Sequence, residues 1–572
     1  MLSISKPIRG ADHGEYYLSL ASMDDYYLDG REPPGFWLGE GARAVVLSGL
    51  LSKTQFRNLF RGLSPDGERA LVHNAKSLHR RSGWDVTWSV PKSVSTAWSQ
   101  ADLPVRLSIE RCVNTAVGEG IRYLETIGLV SRRGEDGVVR EEAKLIFAAF
   151  PHSTSRALDP QLHVHTLLMN VAVRPDGSTG TLEPKELFRH QHAADAIFRV
   201  ELAAELERRL GLRAVRNGRA FELFGVDHGL MATFSKRRQQ IESAMAERGL
   251  SGSKAAEMVA FETRTKKTAV DREALFAEWR LVGLQHGWST EQLAGLLHTP
   301  APPRDPKDER TQTTDDSLRL LTLHESHFAL RDLVRALADE AQGRGLCARD
   351  VYGLRDSILR TRQAIPVGER ASETRFTTPE MLEVERRFLE AARQLHVEAR
   401  PLTPTQVQTV RDDAMRRFPT LSAEQRAAIL AVTESQGGIQ LVSGMAGTGK
   451  SFAFGVAKEI WEGQGMEVHG ACLSGKAAAG LQEGSNVESR TLHRLLWGIH
   501  HGAINLDSRS VVLVDEAAMV GTRQLLDITS KCLAAGAKLV LAGDVGQLQS
   551  VEAGGGFGAL IREFGAATLT EI

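Results

Sequence analysis

Cysteine is scarce in this 572-residue chain: Cys112, Cys347, Cys472 and Cys532 stand far apart, with no Cys-x-x-Cys pair. That excludes a disulfide framework and a four-thiolate zinc site, and it reads as reduced thiols of a cytoplasmic protein. No apolar run is long enough to span a bilayer. The opening stretch, MLSISKPIRGADHGEYY, lacks the apolar core of a signal peptide. An excess of charge is missing too: 70 Lys and Arg against 71 Asp and Glu leave a formal net charge of −1. This argues against coating nucleic acid through a dispersed basic surface, while leaving room for a local basic groove. No repeat of solenoid period is visible. Tyrosine is rare, with six in the whole chain, yet Tyr16, Tyr17, Tyr26 and Tyr27 form two pairs within GEYYLSLASMDDYYLDG.

The length calls for about three domains, because a single core stops growing well below it. Proline and charge dominate HTPAPPRDPKDERTQTTDD, which predicts a linker over 298–316. Before it, over 1–297, strand-like runs such as WDVTWSV, KLIFAAF and LHVHTLLMNVAV mix with helical ones such as DAIFRVELAAELERRLG. After it, HFALRDLVRALADEAQGRG and RFTTPEMLEVERRFLEAARQL predict a helical accessory region over 317–416. Over 417–572, short apolar strands (GIQLVSG, SVVLVDE, AKLVLAGD) alternate with helices, the pattern of a parallel α/β sheet.

That last block carries a phosphate cradle. Residues 444–451, GMAGTGKS, have the form G-x-x-x-x-G-K-S between an apolar strand and a helix. Gly444, Gly447 and Gly449 let backbone N–H groups curl around phosphate oxygens; Lys450 supplies a fixed charge, and the Ser451 hydroxyl suits Mg²⁺. VVLVDEAAMV then delivers Asp515 to hold Mg²⁺ and Glu516 to orient a water, and LVLAGDVGQLQS places Gln547 near the γ-phosphate position. The expected ligand is ATP with Mg²⁺.

The N-terminal block carries a histidine cluster. In FPHSTSRALDPQLHVHTLLMN, His163 and His165 alternate on a strand and so share one face, and the turn at LDP can fold His152 alongside. Three neutral imidazoles would leave a divalent ion its full charge and open positions, which suits an anionic phosphodiester. An H-x-H on a strand is also a common structural feature. Asp85, in GWDVTWSVPKSVS, is a lone acid among apolar residues that could orient a ligating imidazole, accept a tyrosine proton, or merely cap a turn.

Together with GEYY and DDYY, these pieces resemble the relaxase domain of the MobF family, the TrwC- and TraI-like conjugative relaxases of the HUH class. The resemblance runs through LSGLLSKTQFRNLFRG, TSRALDPQLHVHTLLMN, FSKRRQQIE and KKTAVDREALFAEW. The C-terminal block resembles the first motor lobe of RecD-like superfamily 1 helicases, through LSAEQRAAI and LSGKAAAGLQEGSNVESRTLHRLL as well as the nucleotide motifs. The resemblance implies an α+β relaxase domain (an antiparallel sheet with helices, HUH or palm-like), a helical linking region, and one α/β P-loop (RecA-like) lobe. It implies that Gln425 contacts adenine. It also implies an incomplete motor, so unwinding by this chain alone is not expected.

The same resemblance answers the tyrosine question. A phenolate that attacks a DNA phosphate keeps the bond energy in a phosphotyrosine ester, so the strand can be rejoined. Tyr16 would initiate and Tyr26 terminate, with Tyr17 and Tyr27 as packing or backup groups. The implied activity is strand-specific nicking of single-stranded or hairpin DNA at an origin of transfer, giving a 5′-phosphotyrosine adduct and a free 3′-OH. The metal would be Mg, Mn or Zn. Lys236, Arg237, Arg264, Lys266 and Lys267 are candidate phosphate contacts, although short basic runs are commonly just solvated faces. Accessory relaxosome proteins and a type IV coupling protein would be partners. A rolling-circle replication initiator or transposase of HUH type, or a non-catalytic DNA-binding remnant, would share much of this pattern.

Overall fold

The computed structural model describes residues 1–9, 32–75, 77, 79–133, 139–252, 255, 258–259, 272–297, 303–371, 373–398, 408, 412–413, 416–435, 437–445, 447–544, 546 and 555–570. The chain divides into two compact units, Met1–Ser317 with Arg331–Ser357, and Leu318–Leu330 with Ile358–Ile572.

The first unit is built on a six-stranded antiparallel sheet. Its strands are β1 (Leu2–Ile4), β2 (Ile8–Arg9), β3 (Phe36–Leu38), β4 (Arg81–Ser89), β5 (Phe147–Thr154) and β6 (Pro160–Met169). The order is β1-β4-β6-β5-β3, with β2 also pairing β4. Alternation sorts the two faces. Trp84, Val86 and Trp88 of β4 are buried. Trp88 lies 5.4 Å from Phe198 of helix α2 (Gln191–Leu210) and presses on Gly120 of helix α1 (Leu103–Thr126), where a Cβ would come within 2.4 Å of the indole. Its Nε1–H donates to Thr166 Oγ1 at 2.9 Å. The opposite face is covered in part by a second apolar cluster that includes Phe56, Phe60, Phe150, Leu167 and Met169.

The second unit holds a parallel sheet of β7 (Ile439–Gly444), β8 (Glu467–Cys472), β9 (Ser489–Thr491), β10 (Ser510–Val514), β11 (Lys538–Gly543) and β12 (Ala567–Leu569), in the order β9-β8-β10-β11-β7-β12. Every residue of β10 and β11 is buried. Val512, Val514, Leu539 and Leu541 enter one core, while Val511, Leu513, Val540 and Ala542 enter the other. This is why both strands read as unbroken apolar runs: parallel sheets are covered on both faces.

Two sequence expectations need correction. The segment over 298–316 is not simply a linker, because a helix spans Pro306–His324. Pro306 opens that helix instead of breaking it: the Asp305 carboxylate accepts Lys307 N–H at 2.8 Å, and Asp308 and Glu309 occupy the first turn. The region over 317–416 is not wholly helical either. It contains a three-stranded sheet of Phe328–Ala329, Ile365–Arg370 and Glu373–Thr377. Its strands are short and mostly polar, which hides their period.

Candidate metal centre and phosphate loop

The β5–β6 hairpin builds the first site. Its register sets His152 opposite His163 and Phe150 opposite His165. The turn closes through Ser155 N–H to Asp159 O at 2.9 Å, with Leu158 in a left-handed conformation at φ 59. His163 and His165 sit on the half-exposed face of β6, while Leu162 and Val164 between and beside them are buried. The three imidazoles offer ligand nitrogens that all lie within 4.8 Å of one another. Ring centroids are 5.0 to 5.3 Å apart.

The outer edge of each ring is engaged. His152 Nδ1–H donates to Phe150 O at 3.1 Å, His163 Nδ1–H to Gln161 O at 2.8 Å, and His165 Nδ1–H to Asp85 Oδ2 at 2.8 Å. Oxygen acceptors at Nδ1 favour the proton there, the tautomer in which Nε2 can act as the ligand nitrogen. The donor set therefore fits a divalent ion held by three nitrogens. Asp85 is 8% exposed, and its backbone is held by Ser5. Its N–H donates to Ser5 Oγ, and its carbonyl accepts Ser5 N–H, each at 2.9 Å.

Sequence reasoning missed Thr87. Its hydroxyl donates to Asp85 Oδ1 at 3.0 Å and lies 2.9 Å from His165 Nδ1. Thr87 is paired with His165 across the sheet. As the residue two beyond Asp85 on a strand, it was available from alternation alone. Glu32 was also missed. Its carboxylate accepts Ser153 N–H at 2.8 Å and caps the Ser153 hydroxyl, next to His152. A cleft lined by Glu32, Ser153, His152, His163, Glu110 and Arg272 opens there.

Tyr16, Tyr17, Tyr26 and Tyr27 lie outside the described residues. Among the described residues, Ile8 pairs with Gly83 of the Asp85 strand, and Glu32 is bonded to Ser153. Arg264, Lys266 and Lys267 also lie outside the described residues. Lys236 and Arg237 open a helix, Lys236–Glu247, in which no residue is buried. That helix starts against the hairpin turn, where Arg237 N–H approaches Asp159 Oδ2 at 3.4 Å. Lys92 faces the same turn and donates to Pro160 O at 2.9 Å. Burial lowers its ammonium pKa to about 8 against the opposing pull of Asp159, whose own carboxyl is raised by burial.

In the second unit the loop after β7 has the shape its glycines allow. Gly447 and Gly449 adopt φ 89 and φ 75. A Cβ on Gly449 would sit 2.4 Å from Gln425 Nε2. Lys450 Nζ donates to Gly444 O at 2.6 Å and Met445 O at 3.1 Å, holding the loop closed on itself. Ser451 follows in the first turn of the helix Lys450–Gly463. Asp515 stands at the end of β10 with its carboxyl raised by burial, and its Oδ1 accepts Glu516 N–H at 2.9 Å. Glu516 itself is in a left-handed conformation, φ 57. Gln547 lies outside the described residues.

Gln425, the candidate adenine contact, stands beside the phosphate loop. Its Oε1 accepts Ser422 N–H at 3.0 Å in a capping box, and its Nε2 donates to Thr448 O at 3.1 Å. It ties a helix start to the phosphate loop.

Comparison with known proteins finds relatives for both regions of the chain. The TrwC relaxase family matches residues 11–282 and the AAA domain family matches residues 420–572. The conjugal transfer protein TraA of Rhizobium radiobacter is 35% identical over 265 residues, covering 45% of this chain and 23% of that protein. The multifunctional conjugation protein TraI of Escherichia coli K12 is 29% identical over 390 residues, 64% of this chain and 21% of TraI. The ATP-dependent RecD2 DNA helicase of Deinococcus radiodurans is 31% identical over 156 residues, 26% of this chain and 21% of RecD2. The chain thus spans between a fifth and a quarter of the length of these relatives. A metal-bound structure of the conjugative relaxase TrwC in complex with origin-of-transfer DNA is 31% identical, covers 51% of this chain and 100% of that one, and has a TM-score of 0.44. Residues 11–282 thus match a TrwC relaxase domain, and residues 420–572 match an AAA domain.

Proposed function

We propose that this chain is a conjugative relaxase: it nicks one DNA strand at an origin of transfer by tyrosine transesterification and rejoins it. The observation that carries the reading is the convergence of the three imidazoles within 4.8 Å, each with its outer nitrogen bonded to oxygen. His152, His163 and His165 would hold a divalent ion, Mg, Mn or Zn, which supplies Lewis-acid stabilisation of the charge that develops on a phosphodiester. The Tyr16 phenolate oxygen attacks the scissile phosphorus. The P–O3′ bond breaks, the 3′-oxygen leaves and takes up a proton, and the 5′ phosphate remains esterified to the protein. Tyr26 performs the second cut, with Tyr17 and Tyr27 as packing or backup groups.

Each Asp85 oxygen already accepts a hydrogen bond, from His165 and from Thr87. That favours an orienting role for Asp85 over that of a free base. Lys236, Arg237, Arg264, Lys266 and Lys267 are read as phosphate contacts. Lys450, Ser451, Asp515, Glu516 and Gln547 would serve Mg·ATP in a first RecD-like motor lobe. In this reading residues 1–297 form the relaxase domain, 317–416 the accessory region and 417–572 the lobe. Relaxosome accessory proteins and a type IV coupling protein would be the partners. A cytoplasmic setting fits the four free cysteines. No helix among the described residues is long and apolar enough to cross a membrane.

The test is incubation with labelled single strands tiled across the origin region of the element that encodes the chain, with Mg²⁺ or Mn²⁺. A denaturation-resistant protein–DNA adduct, abolished in Tyr16→Phe, is expected. A free 5′-phosphate with no adduct would indicate water as nucleophile, and binding without cleavage would indicate a remnant; either result overturns the reading.

A further inference from the structure

Two of the imidazoles alternate along β6, but the third reaches their face only through a break in the ladder. Thr154 pairs with Pro160 next to the turn, and His152 pairs with His163. Between those rungs β5 has one residue, Ser153, while β6 has two, Gln161 and Leu162. That is a β-bulge, a device common beside active sites. An unbroken ladder counted from the turn would set His152 opposite Leu162, which is buried on the other face of β6 from His163. Directly opposed residues share a face. His152 would then point away from His163 and His165. The bulge supplies the one-residue slip that brings the three rings together.

A bulge disrupts ladder bonds, and buried main-chain groups left by it need other partners. Side chains supply them here. On β6, Leu162 N–H donates to Ser95 Oγ at 3.0 Å, in the helix Lys92–Gln100, and Leu162 O accepts Val90 N–H at 3.2 Å. On β5, Ser153 is 2% exposed. Its N–H donates to Glu32 Oε1 at 2.8 Å, and its hydroxyl donates to Glu32 Oε2. Strand β3 brings Glu32 to this point. Phe36 pairs with Ala149, and the same register continued by four residues sets Glu32 opposite Ser153. Pro33 and Pro34, in between, have no N–H with which to extend the ladder. The carboxylate does so in their place.

We propose that Glu32 is a positioning residue of the metal centre: by clasping Ser153 it holds the bulge that turns His152 toward His163 and His165. The inference rests on reading the three imidazoles as a metal site. It is distinct from a ligand or general-base role, although Glu32 lines the same cleft as His152 and His163. Both Glu32 oxygens accept from Ser153, and the clasp depends on reach and acceptor geometry more than on charge. A glutamine preserves it, because the amide oxygen accepts the N–H and the amide NH₂ donates to the Ser153 hydroxyl oxygen. An aspartate, one methylene shorter, keeps the charge and gives up the reach. The two substitutions therefore separate positioning from chemistry done by the carboxylate itself.

The test is titration of the full chain with Co²⁺, without DNA, read by calorimetry and by the visible absorption of the bound ion. Hydrogen exchange over 81–89 monitors the neighbouring strand. Glu32→Ala and Glu32→Asp are expected to lower Co²⁺ affinity about tenfold, as loss of an outer partner does, and to alter the absorption band. Glu32→Gln is expected to retain both, with exchange over 81–89 unchanged in all three. A Glu32→Gln protein as weak as Glu32→Ala overturns the proposal in favour of a ligand or base. Affinity and spectrum indifferent to Glu32→Ala overturn it as well, and so does faster exchange over 81–89 in Glu32→Asp, which would mean a general loosening of the sheet. Should Glu32→Ala fail to fold, Glu32→Asp against Glu32→Gln decides by the same criteria. If the unsubstituted chain takes up no Co²⁺, it is the metal-centre reading that falls.

Discussion

At the scale of single residues, the metal centre is a question of how imidazoles are aimed. Neutral histidine binds a cation through one nitrogen, and the hydrogen bond at the other decides which. His152 and His163 use main-chain carbonyls for this purpose, so no side-chain substitution deletes those acceptors. His165 depends on Asp85, and Asp85 depends on Thr87. Thr87→Val, nearly the same in volume, deletes the hydroxyl and frees the carboxylate to rotate. Metal affinity measured by calorimetry should fall about tenfold, within the 10–100-fold range usual for such outer partners. Thr87→Ser should restore it. A Thr87→Val protein with unchanged affinity would show that Asp85 is held by the sheet alone. His163→Ala, which removes a ligand outright, should eliminate measurable binding in the same titration while leaving DNA affinity largely intact.

At the scale of elements, two close approaches set what the fold tolerates. On an exposed helix, Gly→Ala gains about 1 kcal/mol. Gly120 sits on helix α1 against Trp88, whose indole is pinned by Thr166, and the new methyl would lie 2.4 Å from the ring. Overpacking of a rigid core costs about 1–3 kcal/mol, so the steric term exceeds propensity. Gly120→Ala should destabilise the first unit, seen as faster hydrogen exchange in 81–89 and 160–169. Gly449 presents a different balance: φ 75 is strained for any residue with a Cβ, and Gln425 occupies the space beside it. Gly449→Ala should weaken binding of a fluorescent ATP analogue at least tenfold. Adding Gln425→Ala should recover only part of that loss, because it relieves the contact and leaves the backbone strain. Full recovery would mean the positive φ has no role in nucleotide binding.

At the scale of the whole molecule, the chain carries two ligand chemistries in two compact units. A ligand at one hundred times its dissociation constant stabilises its binding state by about 2.7 kcal/mol. Hydrogen-exchange mass spectrometry should therefore show two separable footprints. Added divalent metal should protect 147–169 and 81–89, and Mg·ATP should protect 439–451 and 510–516. Metal-induced protection that spread evenly over both sets would contradict the assignment of the histidine cluster as a site of its own.

Much of this was legible from local pattern. The phosphate loop lies within eight consecutive residues, and its glycines, lysine and serine need only a strand before and a helix after. His163 and His165 share a face because a strand has period two. Pro306 misled in the other direction, since proline marks both linkers and helix starts and only the capping carboxylate of Asp305 tells them apart. Gln425 showed another limit: its motif pointed to adenine, and nothing in it announced the contacts to Ser422 and Thr448 that tie it to the phosphate loop. The amino-acid sequence by itself determined which residues could carry chemistry and the strand on which two of the three imidazoles align. Only the tertiary structure decided that His152, Asp85 and Thr87 join them. Those residues come from β4 and β5, brought together by antiparallel register in a sheet whose Trp88 packs on Phe198 and Gly120 of distant helices. A shift of one residue would turn every one of those side chains to the opposite face.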